Sequence, residues 1–243
     1  MTKKINIAII IPCYNEQDNI LSLYQEISSV AIENRQYNIV PIFVNDCSTD
    51  RTKKLLEENN LTHLNLSVNV GIGGAVQTGF KYAYQNGFDI AIQMDGDGQH
   101  PPSELHKLVL PLISNDADVV IGSRYITKEG FQSSILRRMG INYFKWLNHF
   151  LVGIRINDST SGYRALNRKA LKIVSDYYPD EYPEPESIIL FALYKLRLQE
   201  VAVLMRERQS GRSSIRNYKT VYYMFKVTIA VIKSVFALKN NNK

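Results

Sequence analysis

The stretch that decides the fold lies near the middle of the chain and reads Gln93-Met94-Asp95-Gly96-Asp97-Gly98-Gln99-His100-Pro101-Pro102. An apolar run over residues 88–92 leads into it and is typical of a short buried strand. Asp95 and Asp97 follow at a spacing of two, which places both side chains on one face of an extended backbone. The neighbouring glycines allow a sharp turn and a close approach to a ligand. The pattern predicts two carboxylates at the end of a strand, a donor set that suits Mg²⁺ or Mn²⁺ with phosphate oxygens completing the shell.

Two other interpretations of this stretch compete with a metal–phosphate site. A glycine-rich acidic turn can be no more than a solvated loop. A calcium EF-hand loop also begins Asp-x-Asp, but it requires glycine at its sixth position and a bidentate Glu at its twelfth. Those positions hold His100 and His106, which excludes the EF-hand.

The composition indicates one large globular domain. The chain has 243 residues, of which 45% are hydrophobic and 21% charged, enough to bury a full core. Its two cysteines, Cys13 and Cys47, cannot build a disulfide framework and fit free thiols in a reducing cytoplasm. Residues 1–4 run directly into an apolar segment, so no signal peptide is expected.

The positive charge is concentrated at the carboxyl end. The formal net charge is +6, yet residues 206–243 alone contain nine Lys or Arg and one acid, Glu207. This distribution predicts contact between the tail and a polyanionic surface. No zinc-ligand spacing or RNA-binding aromatic signature is present, so nucleic acid is not expected as a partner.

The first half of the chain alternates apolar runs with amphipathic segments. The predicted strands cover 5–11, 38–44, 64–68, 88–92 and 118–122; the predicted helices cover 18–33, a segment capped at 48–50 that ends at 58, 74–86 and 102–114. This alternation predicts an α/β fold with a mostly parallel, doubly wound sheet. Ligands bind beyond the carboxyl ends of the strands in such sheets.

Polar and glycine-rich segments follow three of the predicted strands, at 12–16, 45–50 and 69–75. Glu16 and Asp46 could accept hydrogen bonds from a base or ribose there. A phosphate-binding Walker loop is excluded because Phe80 stands where its lysine belongs, and a dinucleotide fingerprint is excluded because Val76 stands at its third glycine.

Four motifs occur in a fixed order: Pro-x-Tyr-Asn-Glu, Asn-Asp-x-Ser-Thr-Asp, Asp-Gly-Asp-Gly-Gln-His-Pro-Pro and Gly-Ser-Arg-Tyr. Together they resemble the family 2 inverting glycosyltransferases of GT-A fold, and more narrowly the polyprenyl-phosphate (dolichol-phosphate-type) sugar synthases. The resemblance runs from about residue 5 to 214, which suggests a catalytic domain over 1–215. It implies a nucleotide-diphosphate sugar donor, a divalent metal, and a lipid-linked phosphate acceptor at the cytoplasmic face of the membrane, for cell-surface glycan synthesis.

The resemblance also implies roles for individual residues. By that resemblance, the residues that bind the metal and the donor phosphates are Asp95, Asp97 and Gln99. The residues that line the nucleotide site are Pro12, Tyr14, Glu16, Asp46 and Gly73. Related enzymes often have a Lys and an Arg in the glycine segment. This chain has Ile72 or Gly73 at the first of these positions and Gln77 at the second. The terminal Arg-x-x-Gly-x-Ser-Lys motif lacks its lysine here, so Arg208 or Arg212 is expected to supply charge to the donor.

Basic and aromatic residues after the fifth strand are predicted to serve the acceptor. Arg124, and Arg138 beside Arg137, suit phosphate because of the guanidinium's fork geometry. The arginine pair could equally solvate a helix face. The aromatic segment over 141–151 could form core or touch acyl chains.

The stretch 157–164 matches the family's Asp-x-Thr-Ser-Gly-aromatic-Arg segment. By that resemblance Asp158 is the first candidate for orienting or deprotonating the acceptor, Ser161 is assigned to the acceptor side, and Glu184 and Glu186 are rival acids. A phosphate acceptor is mostly ionised at pH 7, because its second pKa is about 6, and needs orientation more than a base. A hydroxyl acceptor would need general-base help.

The expected reaction is therefore a metal-dependent single displacement from a nucleotide sugar to a polyprenyl phosphate. Two alternatives remain: a family 2 transferase acting on a glycan hydroxyl, and a non-catalytic nucleotide-sugar-binding scaffold. A processive synthase is disfavoured because the Gln-x-x-Arg-Trp motif is absent and Trp146 is the only tryptophan.

The tail, residues 216–243, is expected to form a basic amphipathic helix. Its apolar part, 221–238, is shorter than the roughly 20 apolar residues of a spanning helix and contains Lys226 and Lys233. It could pack on the protein's own core or a subunit partner, or lie in the membrane interface with its bases toward anionic headgroups. A separate small membrane protein could also dock on it.

Overall fold

The computed structural model describes residues 4–127, 135–180 and 183–206, together with Lys226, Thr228, Ile229 and Ile232. Of residues 135–139 and 141 it describes the backbone alone. The elements in chain order are β1 (Ile5–Cys13), α1 (Ile20–Glu33), β2 (Tyr37–Asn45), α2 (Thr52–Glu58), β3 (His63–Asn65), α3 (Gly71–Gln85), β4 (Ile90–Gln93), a 3₁₀ turn (Pro102–Glu104), α4 (Leu105–Ile113), β5 (Val119–Ser123), α5 (Ile135–Val152), β6 (Arg164–Asn167), α6 (Arg168–Asp176), α7 (Pro183–Leu193) and β7 (Leu198–Ala202).

Seven strands form one sheet in the order β3-β2-β1-β4-β6-β5-β7. Every neighbouring pair is parallel except those of β6, which runs antiparallel to both β4 and β5. The prediction of a mostly parallel, doubly wound sheet is confirmed. Because β1, β2 and β4 are parallel neighbours, their carboxyl ends meet at one edge, which positions the functional site.

The central strand β1 is apolar along its length because both of its faces are covered. Ile7, Ile9 and Ile11 face one buried cluster, which also holds Ile20, Leu23 and Ile27 of α1. Ala8 and Ile10 face the other, which holds Ala75, Val76 and Phe80 of α3. Helices thus lie on both faces, as the strand–helix alternation predicted.

Several predicted boundaries differ from those observed. β3 is shorter than expected, and α3 begins at Gly71 rather than Gly74. The reason for the earlier start is Asp46, whose carboxylate accepts from the N–H groups of Val70 and Gly71 at 2.7 and 2.9 Å. These are among the free donors of a helix amino terminus, so the side chain extends the helix by capping it.

Among the described residues no helix combines the length and apolar character needed to cross a membrane. The predicted tail helix falls mostly outside the described residues; Lys226, Thr228, Ile229 and Ile232 are helical. The domain boundary at 215 likewise lies outside them.

Candidate active site

A cavity of about 730 Å³ opens at the carboxyl ends of β1, β2 and β4. Its walls come from the loops after these strands, from the start of α3 and from α7. The lining residues are Pro12, Cys13, Tyr14, Asn15, Glu16, Asp46, Asn69, Gly71, Ile72, Ala75, Asp95, Gly96, Asp97 and Glu184. The predicted donor residues Pro12, Tyr14, Glu16, Asp46 and Asp95 are thus brought together.

Asn15 fastens the loop after β1 to the loop after β2. Its side-chain oxygen accepts from the backbone N–H groups of Thr49 at 2.8 Å and Asp50 at 3.3 Å, and its own N–H donates to Ser48 Oγ at 3.0 Å. Its φ of 58° lies in the left-handed region, which Asn tolerates better than most residues. The Pro-x-Tyr-Asn-Glu motif therefore shapes the cavity wall as well as lining it.

Asp46 lines the cavity as a largely buried side chain at the amino terminus of α3. Both of its oxygens accept from α3 backbone donors, and its own carbonyl accepts from Asn69 Nδ2 at 3.2 Å. Its clearest observed role is to fix the helix start beside the cavity. The predicted contact with a base or ribose remains a prediction.

The acidic turn after β4 places two carboxylates on the cavity wall. The Asp95 side chain is 35% exposed, whereas Asp97 is buried. Asp97 Oδ1 accepts from the Gln99 N–H at 3.0 Å, which closes the turn. Gln99 does not line the cavity described here; its carbonyl accepts from the Arg206 N–H at 3.0 Å.

His100, whose role the sequence did not predict, supports the turn from behind. Its Nδ1 accepts from the Asp95 N–H at 3.0 Å, and its ring stacks on Tyr163 with centroids 4.9 Å apart. Burial lowers the pKa of the imidazole to about 4, although the Asp97 carboxylate opposes the shift. The ring is therefore neutral at pH 7 and able to accept at Nδ1.

Of the two rival acids on α7, Glu184 reaches the cavity and Glu186 does not. Burial raises the pKa of the Glu184 carboxyl; the charge of Arg164 opposes this and the Asp95 carboxylate adds to it, with a raised pKa as the result. Glu186 is buried elsewhere, so its predicted catalytic role has no support in this geometry. The Pro-Glu-Pro-Glu repeat alone does not distinguish the two acids.

The structure argues against Asp158 as a base, because Arg124 occupies both of its oxygens. Arg124 Nε and Nη2 donate to Oδ2 and Oδ1, each at 2.7 Å, and Asp158 is fully buried away from the cavity. Burial alone would lower the pKa of the Arg124 guanidinium, but hydrogen bonding and the charge of Asp158 raise it overall. The two predicted acceptor-side residues therefore form an ion pair with each other, and contact of Arg124 with an acceptor phosphate remains a prediction.

Ser161 and Gly73 do not line the cavity, and their predicted binding roles remain predictions. Ser161 is buried, and its hydroxyl accepts from the Tyr163 N–H at 3.2 Å. At Gly73 a Cβ would lie 2.3 Å from the carbonyl oxygens of Pro179 and Asp180, so glycine is required there for the close approach of α3 to that loop. Gly71, Ile72 and Ala75 line the cavity instead.

Arg164 is a buried cation. The sequence identified it only as the last residue of the motif at 157–164, without a role of its own. It donates from Nε to the Ser161 carbonyl at 2.7 Å, from Nη2 to the Ser159 carbonyl at 3.0 Å, and from Nη1 to the Ser187 hydroxyl. It thereby ties β6 to α7, the helix that carries Glu184. The predicted residues Arg208 and Arg212 lie outside the described residues, as does the side chain of Arg138.

The donor set at the acidic turn fits a hard divalent cation with few protein ligands. Asp95 and Asp97 both line the cavity. Among the described residues no group of three or more His, Cys, Asp or Glu could enclose a metal ion on its own. Two carboxylates beside a nucleotide-sized cavity match a Mg²⁺ or Mn²⁺ site in which the substrate's phosphates supply further oxygens.

Comparison with known proteins agrees with this architecture. The family model described as Glycosyl transferase family 2 matches residues 8–174, so the chain belongs to that family. It is 33% identical over 217 residues to the UDP-N-acetylglucosamine–dolichyl-phosphate N-acetylglucosaminyltransferase of Methanococcus voltae, covering 81% of this chain and 84% of the relative. It is 29% identical over 229 residues to the polyprenol monophosphomannose synthase of Mycolicibacterium smegmatis, covering 90% of this chain and 84% of that relative.

A solved structure with the same fold is the glucosyl-3-phosphoglycerate synthase of Mycobacterium tuberculosis, determined with Mn²⁺, uridine-diphosphate-glucose and phosphoglyceric acid. Its TM-score is 0.69 at 17% identity, covering 96% of this chain and 79% of that chain. The predictions of the GT-A fold and of a family 2 glycosyltransferase are confirmed.

Proposed function

We propose that the protein transfers a sugar from a nucleotide-diphosphate sugar to a polyprenyl phosphate, with inversion at the anomeric carbon and with Mg²⁺ or Mn²⁺ as cofactor. The observation that carries this proposal is the cavity in which the nucleotide-site residues of β1 and β2 meet Asp95 and Asp97 of the acidic turn. The printed names of the two relatives supply the acceptor class.

The donor would lie with its nucleoside between the β1 and β2 loops and its diphosphate toward the acidic turn. Tyr14 is half exposed on this wall and offers a ring for the base or ribose. Asp95 and Asp97 would hold the cation beside the diphosphate. When bound, the cation would neutralise charge on the departing nucleoside diphosphate.

The acceptor phosphate would attack from the side of Glu184. One of its oxygens forms the new bond to the anomeric carbon while the bond from that carbon to the donor's β-phosphate oxygen breaks, and the electron pair leaves with the nucleoside diphosphate. Since the acceptor is mostly ionised at pH 7, no protein base has to remove a proton. The chain's contribution is to hold both reactants in line.

One observation favours a second candidate function, transfer to a glycan hydroxyl. Glu184 lines the cavity with a raised pKa, as a general base for a hydroxyl would. The sequence identity to two relatives that are named for lipid-phosphate acceptors weighs against transfer to a glycan hydroxyl.

The proposed site of action is the cytoplasmic face of the cell membrane, where the product would serve cell-surface glycan synthesis. The acceptor class supports this placement, because a polyprenyl phosphate is held in a bilayer. Contact of the tail with the membrane surface, a small membrane protein or a second copy of the chain remains a prediction.

A transfer assay tests the proposal. The purified protein is incubated with a panel of radiolabelled nucleotide sugars and either a short-chain polyprenyl phosphate or an oligosaccharide, with and without EDTA. We expect one sugar to transfer to the lipid phosphate, no transfer in EDTA, and loss of transfer in Asp97→Asn but not in Asp176→Asn, an exposed acid on α6. Transfer to the oligosaccharide alone would replace the first function by the second, and no turnover with any donor would favour a binding scaffold.

A further inference from the structure

Glu200, on the edge strand β7, accepts three hydrogen bonds from a single loop. Its Oε1 accepts from the Asp158 N–H at 2.8 Å. Its Oε2 accepts from the Asn157 N–H at 2.7 Å and from Asn157 Nδ2 at 2.8 Å. These distances are typical of hydrogen bonds to an ionised carboxylate. Glu200 therefore fixes the backbone at two consecutive residues, Asn157 and Asp158.

The strand that carries Glu200 also pairs with the strand that leads to Arg124. β7 runs parallel to β5, with Glu200 opposite Ile121 and Ala202 opposite Ser123. Arg124 directly follows Ser123. One side chain thus ties the loop between α5 and β6 to the part of the sheet from which Arg124 extends.

Asp158 in turn holds Arg124. Asp158 Oδ2 accepts from the Arg124 backbone N–H at 3.2 Å and from Nε at 2.7 Å, and Oδ1 accepts from Nη2 at 2.7 Å. The ion pair uses the Nε–Nη2 edge of the guanidinium, so Nη1 lies on the side that Asp158 does not cover. The direction of Nη1 is therefore set by the position of the Asp158 backbone, which Glu200 fixes.

Lys145 on α5 supports the same loop through the side chain of Asn157. Its Nζ donates to Asn157 Oδ1 at 2.6 Å, while Asn157 Nδ2 donates to Glu200. The amide oxygen thus faces a cation and the amide nitrogen faces a carboxylate. Because rotation of the amide would lose both contacts, Asn157 has one favoured orientation beside Glu200.

The ion pair held in this way lies close to the acidic turn. Burial is the main cause of the lowered pKa of His100, and the charge of Asp97 opposes the shift. The charge of Arg124 lowers this pKa further and that of Asp158 raises it, so both charges act on the imidazole. The same imidazole accepts from the Asp95 N–H at 3.0 Å. Arg124 is therefore a fixed cation near the turn that would hold the metal.

We propose that Glu200 is a positioning residue for the lipid acceptor. Through the Asp158 backbone it sets the place and direction of the Arg124 guanidinium, which receives the phosphate of the polyprenyl phosphate on its Nη1 side. This role rests on the proposed function, since it assigns Arg124 to the acceptor phosphate. A guanidinium binds phosphate through N–H donors of fixed direction, so a small displacement of Arg124 weakens the contact.

Direct binding of an acceptor tests this role separately from turnover. The full-length protein is titrated by calorimetry with farnesyl phosphate in the presence of Mn²⁺, and in parallel with UDP or GDP, whichever the wild type binds more tightly. In Glu200→Gln one oxygen is replaced by an NH₂ group that faces an N–H donor of the loop. We expect the Kd for farnesyl phosphate to rise roughly tenfold and the Kd for the nucleotide to change less than about twofold. Unchanged affinity for farnesyl phosphate in Glu200→Gln would overturn the proposal.

Asp118→Asn is the matched control for a general loss of stability. The Asp118 carboxylate accepts from the Arg197 N–H at 2.9 Å and from Asn167 Nδ2 at 3.0 Å, directly before β5. Its replacement should lower the unfolding free energy, measured in urea, while leaving the Kd for farnesyl phosphate unchanged. An equal loss of affinity in this control would contradict a specific role for Glu200. If Glu200→Gln does not fold, Glu200→Asp, which keeps the charge on a shorter side chain, should show a rise in Kd of about threefold.

A double variant shows whether Glu200 acts through Arg124. Arg124→Lys alone should weaken binding of farnesyl phosphate about tenfold or more, because lysine lacks the planar fork. Adding Glu200→Gln to it should raise the Kd by less than about twofold, since residues that act through one contact are not additive. A further tenfold loss would mean that Glu200 acts independently of Arg124, against the proposal.

The wild type distinguishes failure of this role from failure of the proposed function. A wild type that binds no farnesyl phosphate and transfers sugar only to an oligosaccharide would refute the proposed function, and the role of Glu200 with it. A wild type that binds farnesyl phosphate and transfers sugar to it, with Glu200→Gln binding equally well, would refute the role of Glu200 alone.

Discussion

The backbone N–H of Asp95 donates to Nδ1 of His100 across 3.0 Å, while His100 Nε2 lies 3.7 Å from Asp95 Oδ2. One buried imidazole therefore contacts both the backbone and the carboxylate of a predicted metal ligand. The ring is held by stacking on Tyr163, whose hydroxyl donates to the Pro101 carbonyl at 3.1 Å. The His-Pro part of the motif thus orients the acidic part.

Replacement of His100 should weaken the site more than the fold. His100→Leu removes the acceptor for the Asp95 N–H, and a hydrogen-bonding group left unsatisfied costs about 1–3 kcal/mol. We expect the Mn²⁺ concentration for half-maximal activity to rise roughly tenfold, with partial recovery in His100→Asn, whose side-chain oxygen can accept at the position of Nδ1. An unchanged metal requirement in His100→Leu would limit the histidine to packing.

The effect of replacing Glu184 on kcat should depend on which acceptor the enzyme uses. For a phosphate acceptor, Glu184→Gln should lower kcat less than about tenfold, because no proton has to be removed. For a hydroxyl acceptor the loss should be about 100-fold or more, and the acidic limb of the wild-type pH–rate profile should lie above the usual carboxyl range, since the pKa of Glu184 is raised. Glu186→Gln is the control away from the cavity; a larger effect there would restore the prediction for Glu186.

Much of the fold could be predicted because strands covered on both faces are continuous apolar runs. Ile5–Cys13 and Tyr37–Asn45 were identified to within two residues for that reason. β6 was not identified, since it has only four residues and begins with the buried Arg164. Its antiparallel pairing with β4 and β5 depends on contacts between distant parts of the chain.

The convergence of the predicted donor residues on one cavity could also be predicted, because the carboxyl ends of neighbouring parallel strands must meet. The pairing of Arg124 with Asp158 could not. Arg124 directly follows β5, and Asp158 lies in the loop between α5 and β6. Their preference for each other arises from a contact across 34 residues that no local pattern encodes.

Replacement of Asp158 should therefore lower the free energy of unfolding. Asp158→Asn leaves the buried Arg124 charge without its partner, which typically costs about 3–5 kcal/mol. Urea unfolding should show this decrease, and the double variant Arg124→Met with Asp158→Leu should recover part of it. A folded Asp158→Asn protein with wild-type stability and at least a 100-fold lower kcat would instead support the predicted base.

Asp118, which directly precedes β5, should make the stability of the protein depend on pH. Hydrogen bonds from Arg197 hold the pKa of this carboxyl well below its usual range, although burial opposes them. The folded form therefore binds the proton less readily than the unfolded chain, so the contribution is present above about pH 4 and is lost as the pH falls further. Asp118→Asn should be less stable than wild type at pH 7, and the difference should shrink below pH 4. A constant difference down to pH 2 would contradict the ionic contribution.

Gly162 should control the position of Asp95. A Cβ at Gly162 would lie 3.0 Å from Asp95 Oδ1 and 3.1 Å from Gln93 Nε2, close enough to push the carboxylate by a few tenths of an ångström. Because the obstacle is the end of a flexible side chain, Gly162→Ala should change the unfolding free energy by less than about 1 kcal/mol while raising the metal or donor requirement roughly tenfold. Gly79→Ala is the matched control: its Cβ would meet Ile10 Cγ2 at 2.2 Å in the core, so stability should fall by about 1–3 kcal/mol with the donor KM unchanged. If Gly162→Ala instead lost stability and kept its donor KM, the tight contact at Gly162 would serve the fold and not the orientation of Asp95.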